Sequence, residues 1–138
     1  MIGLDTNILV RAATNDDRVH SPIARALVDG LTRDAPAFIN SLVLAEFAWA
    51  LGRGYRYHRE EILAAIEGIL RSPGYVVGDR DAVSAAVSRC HDEGLNFADA
   101  LIGEINRASG CETTLTFDER ASGSSAFRSA LERRGRTQ

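Results

Sequence analysis

Short apolar segments alternate with amphipathic helical segments along this chain, and that alternation limits it to a narrow set of folds. Met1–Asp5 reads as a buried strand, Thr6–Ala13 as a helix, and Ser21-Pro22 as the start of a second helix running to about Leu31. Ala37–Ile39 is a strand, and Asn40-Ser41 supplies capping residues for a helix over Leu42–Leu51 that stops near Gly52 and Gly54. A helix at Arg59–Arg71, a strand at Tyr75–Val77, helices at Asp81–His91 and Phe97–Ala108, and a strand at Thr113–Phe117 complete the pattern. Strands that take turns with helices make an α/β fold: a central, mostly parallel sheet of four to five strands flanked by helices. Ligands in such sheets bind at the carboxyl ends of the strands.

At 138 residues the chain has the size of one domain, here 1–132, followed by a polar C-terminal tail at 133–138. The longest apolar run, Leu42–Leu51 interrupted by Glu46, falls far short of the ~18 residues that a membrane span needs. Met1–Asp5 lacks the basic segment of a signal peptide, so a cytoplasmic location is expected. Cys90 and Cys111 have no CxxC spacing and no flanking His pair, which argues against a disulfide framework or a zinc site. The net charge is −3, and all 16 basic residues are Arg. A chain without Lys cannot build a Walker A loop.

Four carboxylates stand out. Asp5 closes the first strand and Asp118 follows the last, so a parallel sheet projects both from one edge. Glu46 is the only polar side chain between Leu42 and Leu51, in a helix apolar on every face. Such a helix is expected to be buried, and a buried carboxylate needs a cation, a hydrogen-bond network or a raised pKa. Asp99 lies beside the stripe Ala98, Leu101, Ile102 and Ile105 in the first turn of its helix.

Each has a plainer reading. Asp5 could cap the first helix, Asn96-x-x-Asp99 resembles a capping box, Asp118 could be a turn residue, and Glu46 could pair with an Arg. Function is favoured by the conjunction of two strand-end Asp residues with carboxylates in two largely apolar helices. Two carboxylates ~4 Å apart repel by about 4 kcal/mol at an effective dielectric of 20, so four gathered together call for a cation. Oxygen ligands without paired His or Cys select Mg²⁺ or Mn²⁺, and such an ion can activate water against a phosphodiester.

Ile2-Gly3-Leu4-Asp5-Thr6-Asn7, Glu46, Phe97-Ala98-Asp99-Ala100-Leu101-Ile102 and Leu115-Thr116-Phe117-Asp118 together resemble the PIN domain, in order and spacing along the chain. In length the chain is similar to the VapC-like toxins of bacterial toxin–antitoxin pairs. The resemblance implies an α/β sandwich with a parallel sheet, Mg²⁺- or Mn²⁺-dependent endoribonuclease activity, homodimerisation and inhibition by a small antitoxin protein. Asp5, Glu46, Asp99 and Asp118 fall on the family's acidic positions, as catalytic residues and metal ligands, while Asn7 and Thr116 fall on supporting polar positions. Many relatives carry an acid where this chain has Asn96, which implies weaker binding of a second metal, or binding only with substrate present.

Arg53-Gly54-Tyr55-Arg56-Tyr57-His58-Arg59 interleaves cations with aromatic rings and suits single-stranded RNA, with Arg53 and Arg56 as contacts; its plainer reading is a loop whose rings fold onto neighbouring helices. Arg11 faces either the cleft or solvent. Trp49, Phe47 and Leu51 are expected in the core or a dimer interface. The scattered His20, His58 and His91 give no nucleophile triad. Two acidic α/β phosphoryl-transfer folds are excluded: receiver domains use a Lys, and haloacid-dehalogenase-like phosphatases need Asp-x-Asp where position 7 is Asn. The remaining alternatives to a toxin are a stand-alone RNA-processing nuclease and a non-catalytic PIN-like module that binds RNA or a partner.

Overall fold

A computed structural model describes residues 1–131; the expected domain end at 132 and the tail at 133–138 lie outside the described residues. The chain divides into two compact units, Met1–Arg80 and Asp81–Gln138.

The first unit is built on a parallel sheet in the order β1-β2-β3, formed by β1 (Ile2–Gly3), β2 (Ala37–Ile39) and β3 (Tyr75–Val77). Ile2 pairs with Ala37, and Ala37 with Tyr75, so residues alternate between faces in register across the sheet. Leu4, Ala37, Ile39 and Val77 form the buried face. β1 is shorter than the expected Met1–Asp5, although the Leu4 N–H still donates to the Phe38 carbonyl (3.1 Å) and carries the ladder one residue further. The helices are α1 (Thr6–Ala13), α2 (His20–Asp29), α3 (Ser41–Trp49) and α4 (Arg59–Arg71). α2 ends at Asp29 rather than Leu31, where the Gly30 N–H closes the last turn.

Local chemistry sets these boundaries. Asn40 Oδ1 accepts from the Val43 N–H (2.8 Å) and starts α3, while Glu61 Oε1 accepts from the His58 N–H (3.0 Å) and starts α4. α3 runs into a π-helical turn at Ala50–Gly54. Gly78, after β3, lies so close to Phe38 that a Cβ there would sit 2.9 Å from the ring's Cζ.

The second unit contains α5 (Arg80–Glu93), whose first residue closes the first unit, then α6 (Phe97–Ala108), β4 (Thr114–Thr116), α7 (Glu119–Ser122) and β5 (Phe127–Ser129). β4 and β5 pair in parallel, Thr114 with Phe127 and Thr116 with Ser129. β5 has no clear sequence signal, because a three-residue strand after Ser124-Ser125 shows too little alternation. Its Phe127 is held by α6: a Cβ on Gly103 would meet the Phe127 ring at 2.9 Å, so glycine here permits helix and strand to touch.

The fold class is therefore α/β with parallel strands throughout, five among the described residues, divided three and two. No helix of the described residues is long and apolar enough to cross a membrane.

Candidate functional site

In the first unit, the parallel strands deliver their carboxyl ends to one edge. Asp5 follows β1 and is the N-cap of α1, its Oδ1 accepting from the Thr6 N–H (2.8 Å). Asn40-Ser41 follows β2 and Gly78-Asp79 follows β3. Asp79 adopts a left-handed backbone (φ 49°), and its Oδ2 accepts from Ser41 Oγ (2.7 Å), which fixes the start of α3.

Glu46 lies in the second turn of α3, and its Oε1 accepts from Thr6 Oγ1 (3.2 Å). Thr6 thus joins the two acidic residues: its backbone holds Asp5 and its hydroxyl holds Glu46. The sequence reading singled out Asn7 and passed over Thr6. Asn7 is exposed on the first turn of α1. The available signal was positional, since a hydroxyl next to a strand-end Asp that begins a helix is placed to reach a neighbouring element.

The expectation that α3 is buried on every face is corrected. Val43, Leu44, Phe47, Ala48 and Leu51 pack inward, whereas Leu42 (68% exposed), Glu46 and Trp49 (64% exposed) face outward. Residues at 42, 46 and 49 share one face of a helix, and only the opposite face is covered. Glu46 therefore keeps solvent access, and the argument from desolvation does not apply to it. Phe47 and Leu51 lie in the core, one of the two places expected of them; Trp49 lies outside it, which leaves the expected dimer interface as its alternative.

Arg11 is engaged within its own unit. Its Nη1 pairs with Asp16 Oδ1 (3.2 Å) and donates to Tyr55 Oη (3.3 Å), and Tyr55 Oη donates to Asp16 Oδ2 (2.7 Å). The Tyr55 hydrogen bond is the main cause that holds the Asp16 carboxyl below its ordinary range. Asp17, which accepts from the backbone and ring of His20, is lowered to about 2. Tyr55 and Tyr57 meet edge to face, with centroids 6.4 Å apart. For Tyr55 the plainer reading of the Arg53–Arg59 segment therefore describes its contacts. Arg53 and Arg56 remain exposed, Arg56 with a left-handed backbone (φ 57°).

The second unit presents the other two acidic residues. Asn96 caps α6, its Oδ1 accepting from the Asp99 N–H (2.9 Å), and its Nδ2 donates to Asp99 Oδ2 (2.9 Å). An amide at position 96 thus steadies the Asp99 carboxylate where an acid would repel it. Asp118 caps α7 through the Ala121 N–H (2.9 Å), and its own N–H donates to Thr116 Oγ1 (3.0 Å). Asn96 is the N-cap that the plainer reading expected, without, among the described contacts, the reciprocal backbone bond of a full capping box, whereas Asp118 starts a short helix where a turn residue was expected.

Among the described residues, no group of three or more His, Cys, Asp or Glu side chains is arranged to hold a metal ion. Each unit supplies a pair of carboxylates. In the first, Asp5 and Glu46 are exposed oxygen donors tied together through Thr6. Mg²⁺ is commonly bound through one or two carboxylates, with water and substrate phosphate completing its shell, so this pair fits that ion in donor type.

Among the described residues the chain is an α/β protein with parallel strands, in which Asp5 follows β1 and Asp118 follows β4. The PIN domain family model matches residues 2–123, and the chain belongs to that family. No curated protein matches the sequence. PIN domains are generally nucleases that act on RNA, and nuclease activity is what this membership assigns in general.

Proposed function

We propose that this protein is a Mg²⁺- or Mn²⁺-dependent endoribonuclease that hydrolyses RNA phosphodiester bonds, and that it serves as the toxin of a type II toxin–antitoxin pair. The observation that carries the catalytic part is the Asp5–Thr6–Glu46 link, which holds two solvent-accessible carboxylates at the carboxyl edge of a parallel sheet. Asp99, steadied by Asn96, and Asp118, whose carboxylate accepts from the Ala121 N–H, are the other two acidic residues of the reading. A divalent ion held by Asp5 and Glu46 would lower the pKa of a bound water and offset charge on phosphate oxygens. The protein's own part is orientation: Thr6 fixes Glu46, and Asp5 is fixed by its cap. Arg53 and Arg56, both exposed, would draw in the phosphate backbone.

In this reading the protein is cytoplasmic, forms a homodimer and is held inactive by a small antitoxin protein. The competing reading is a PIN-like module that binds RNA without cutting it. One experiment separates the two. Purified protein is incubated with structured RNA in Mn²⁺ or in excess EDTA, beside Asp5→Asn and Asp99→Asn variants. Metal-dependent cleavage lost in both variants supports the nuclease, with 5′-phosphate and 3′-hydroxyl ends because attacking water leaves the 2′-hydroxyl unused. Cyclic 2′,3′-phosphate ends, or cleavage that survives either substitution, would defeat it.

A further inference from the structure

Trp49 is the only tryptophan of the chain, and the residue stands 64% exposed at the end of α3 instead of filling the core. Three residues before it on the same side of the helix is the exposed Glu46; four residues after it, in the π turn, is the exposed Arg53. By helical rise, the stretch from Glu46 to Arg53 covers roughly 10 Å or less along the axis, which is the scale of a nucleotide with its phosphates. A π turn interrupts a helix at a cost in regularity and is frequent at functional sites. Here it follows Trp49 directly and displays Arg53.

On this strip a carboxylate, an indole and a guanidinium follow one another. From it we infer that Trp49 is a stacking platform for an unpaired base of a single-stranded RNA substrate, with Arg53 receiving the adjoining phosphate. The inference rests on the nuclease reading for its choice of RNA. Every base offers a π face to an indole, so the contact tolerates sequence, and it requires a base that is not already paired. Charge selects the occupant. The ion pairs among the described residues engage Arg11, Arg59, Arg71 and Arg89, leaving the guanidinium groups of Arg53 and Arg56 to meet polyanionic backbone. A wholly apolar partner laid over Leu42 and Trp49 would desolvate Glu46 without compensation. A second copy laid antiparallel over this strip would pair Glu46 with Arg53, and dilution of the protein, an arm of the test below, separates that arrangement from bound RNA.

The single indole makes the test direct. A short unstructured RNA oligonucleotide is titrated into the protein in excess EDTA, with binding followed by anisotropy of the labelled RNA and stacking followed by Trp49 emission. The expected result is saturable quenching that tracks binding, absent when the oligonucleotide is annealed to its complement. Trp49→Ala should weaken binding roughly 5- to 150-fold, as loss of a stacked aromatic does, whereas Trp49→Phe keeps most of it and shows that the fold is intact. Arg53→Gln should weaken binding and flatten its dependence on salt.

RNA that binds to saturation without changing the emission overturns the inference, as does the absence of RNA binding. So does emission that shifts on dilution of the protein alone, which would reveal a second copy over the indole. Cleavage in Mn²⁺ at the wild-type rate by Trp49→Ala, with no quenching in the parent, removes the stacking role and leaves the nuclease reading standing. Quenching by RNA that is never cut does the reverse.

Discussion

Replacing Arg89 with Met should strongly destabilise the second unit. Arg89 projects from α5 with its side chain 15% exposed, its Nε 2.6 Å from Glu104 Oε1 on α6 and its Nη1 3.0 Å from Glu93 Oε2. The Glu104 side chain is only 7% exposed, and the Arg89 Nε bond is its hydrogen bond among the described contacts. Methionine keeps most of the volume and removes the charge, so the loss is mainly that of leaving a carboxylate buried without its cation. Breaking a buried pair from one side costs about 3–5 kcal/mol. At roughly 4 °C per kcal/mol for a chain of this size, the melting temperature should fall by ~12–20 °C. The Glu93 side chain keeps its hydrogen bonds from Ser124 and Ser125 when Arg89 is lost, so it adds less to the cost than Glu104 does. The double variant Arg89→Met/Glu104→Met should recover most of the loss, since a buried ion pair replaced as a whole by apolar groups is often neutral. Urea and thermal denaturation of the four proteins of this cycle give the coupling. A single variant that loses less than about 1 kcal/mol, or a double variant with strictly additive losses, would refute the reasoning.

Glu93 makes the acid limb of stability testable. Burial raises its pKa, but hydrogen bonds from Ser124 and Arg89 and from the Ser125 backbone and hydroxyl outweigh burial and hold it at about 2, against an ordinary 4.5. A carboxylate depressed on folding stabilises fully above its unfolded pKa and loses that contribution as pH falls from 4.5 towards 2; Glu93→Gln should flatten stability over this window, and an unchanged slope in acid titrations would count against it. Thr6→Val, which removes the donor to Glu46, should lower kcat/KM on RNA by roughly 10-fold, the effect of losing one hydrogen bond to a charged group, while the melting temperature moves little. Unchanged kinetics would show that Glu46 needs no such orientation. Mg²⁺ or Mn²⁺ at a hundred times its Kd should stabilise the folded protein by about 2.7 kcal/mol, a gain lost in Asp5→Asn and read by calorimetry. No shift at millimolar metal would speak against a bound ion.

The sequence by itself determined the elements whose signals are local. Thr6–Ala13, Ala37–Ile39, Arg59–Arg71, Tyr75–Val77 and Phe97–Ala108 run between the same residues in the structure as in the hydrophobic pattern, because caps, Gly and Pro breaks and periodicity act within a few residues of chain. The parallel sense of the strands followed from their alternation with helices, and the capping roles of Asp5 and Asn96 could be read from their places at helix starts, whereas the short helix that Asp118 caps carried no such signal. Tertiary packing decided the rest. A helix as uniformly apolar as α3 carries no information about which side its neighbours will cover, so the exposure of Leu42, Glu46 and Trp49 emerges only when the opposite face packs. The Thr6–Glu46 bond spans 40 residues, and the Arg11–Asp16–Tyr55 network joins the end of α1 to the segment after the π turn. Such contacts depend on which elements become neighbours in space, and no local preference of the chain encodes that.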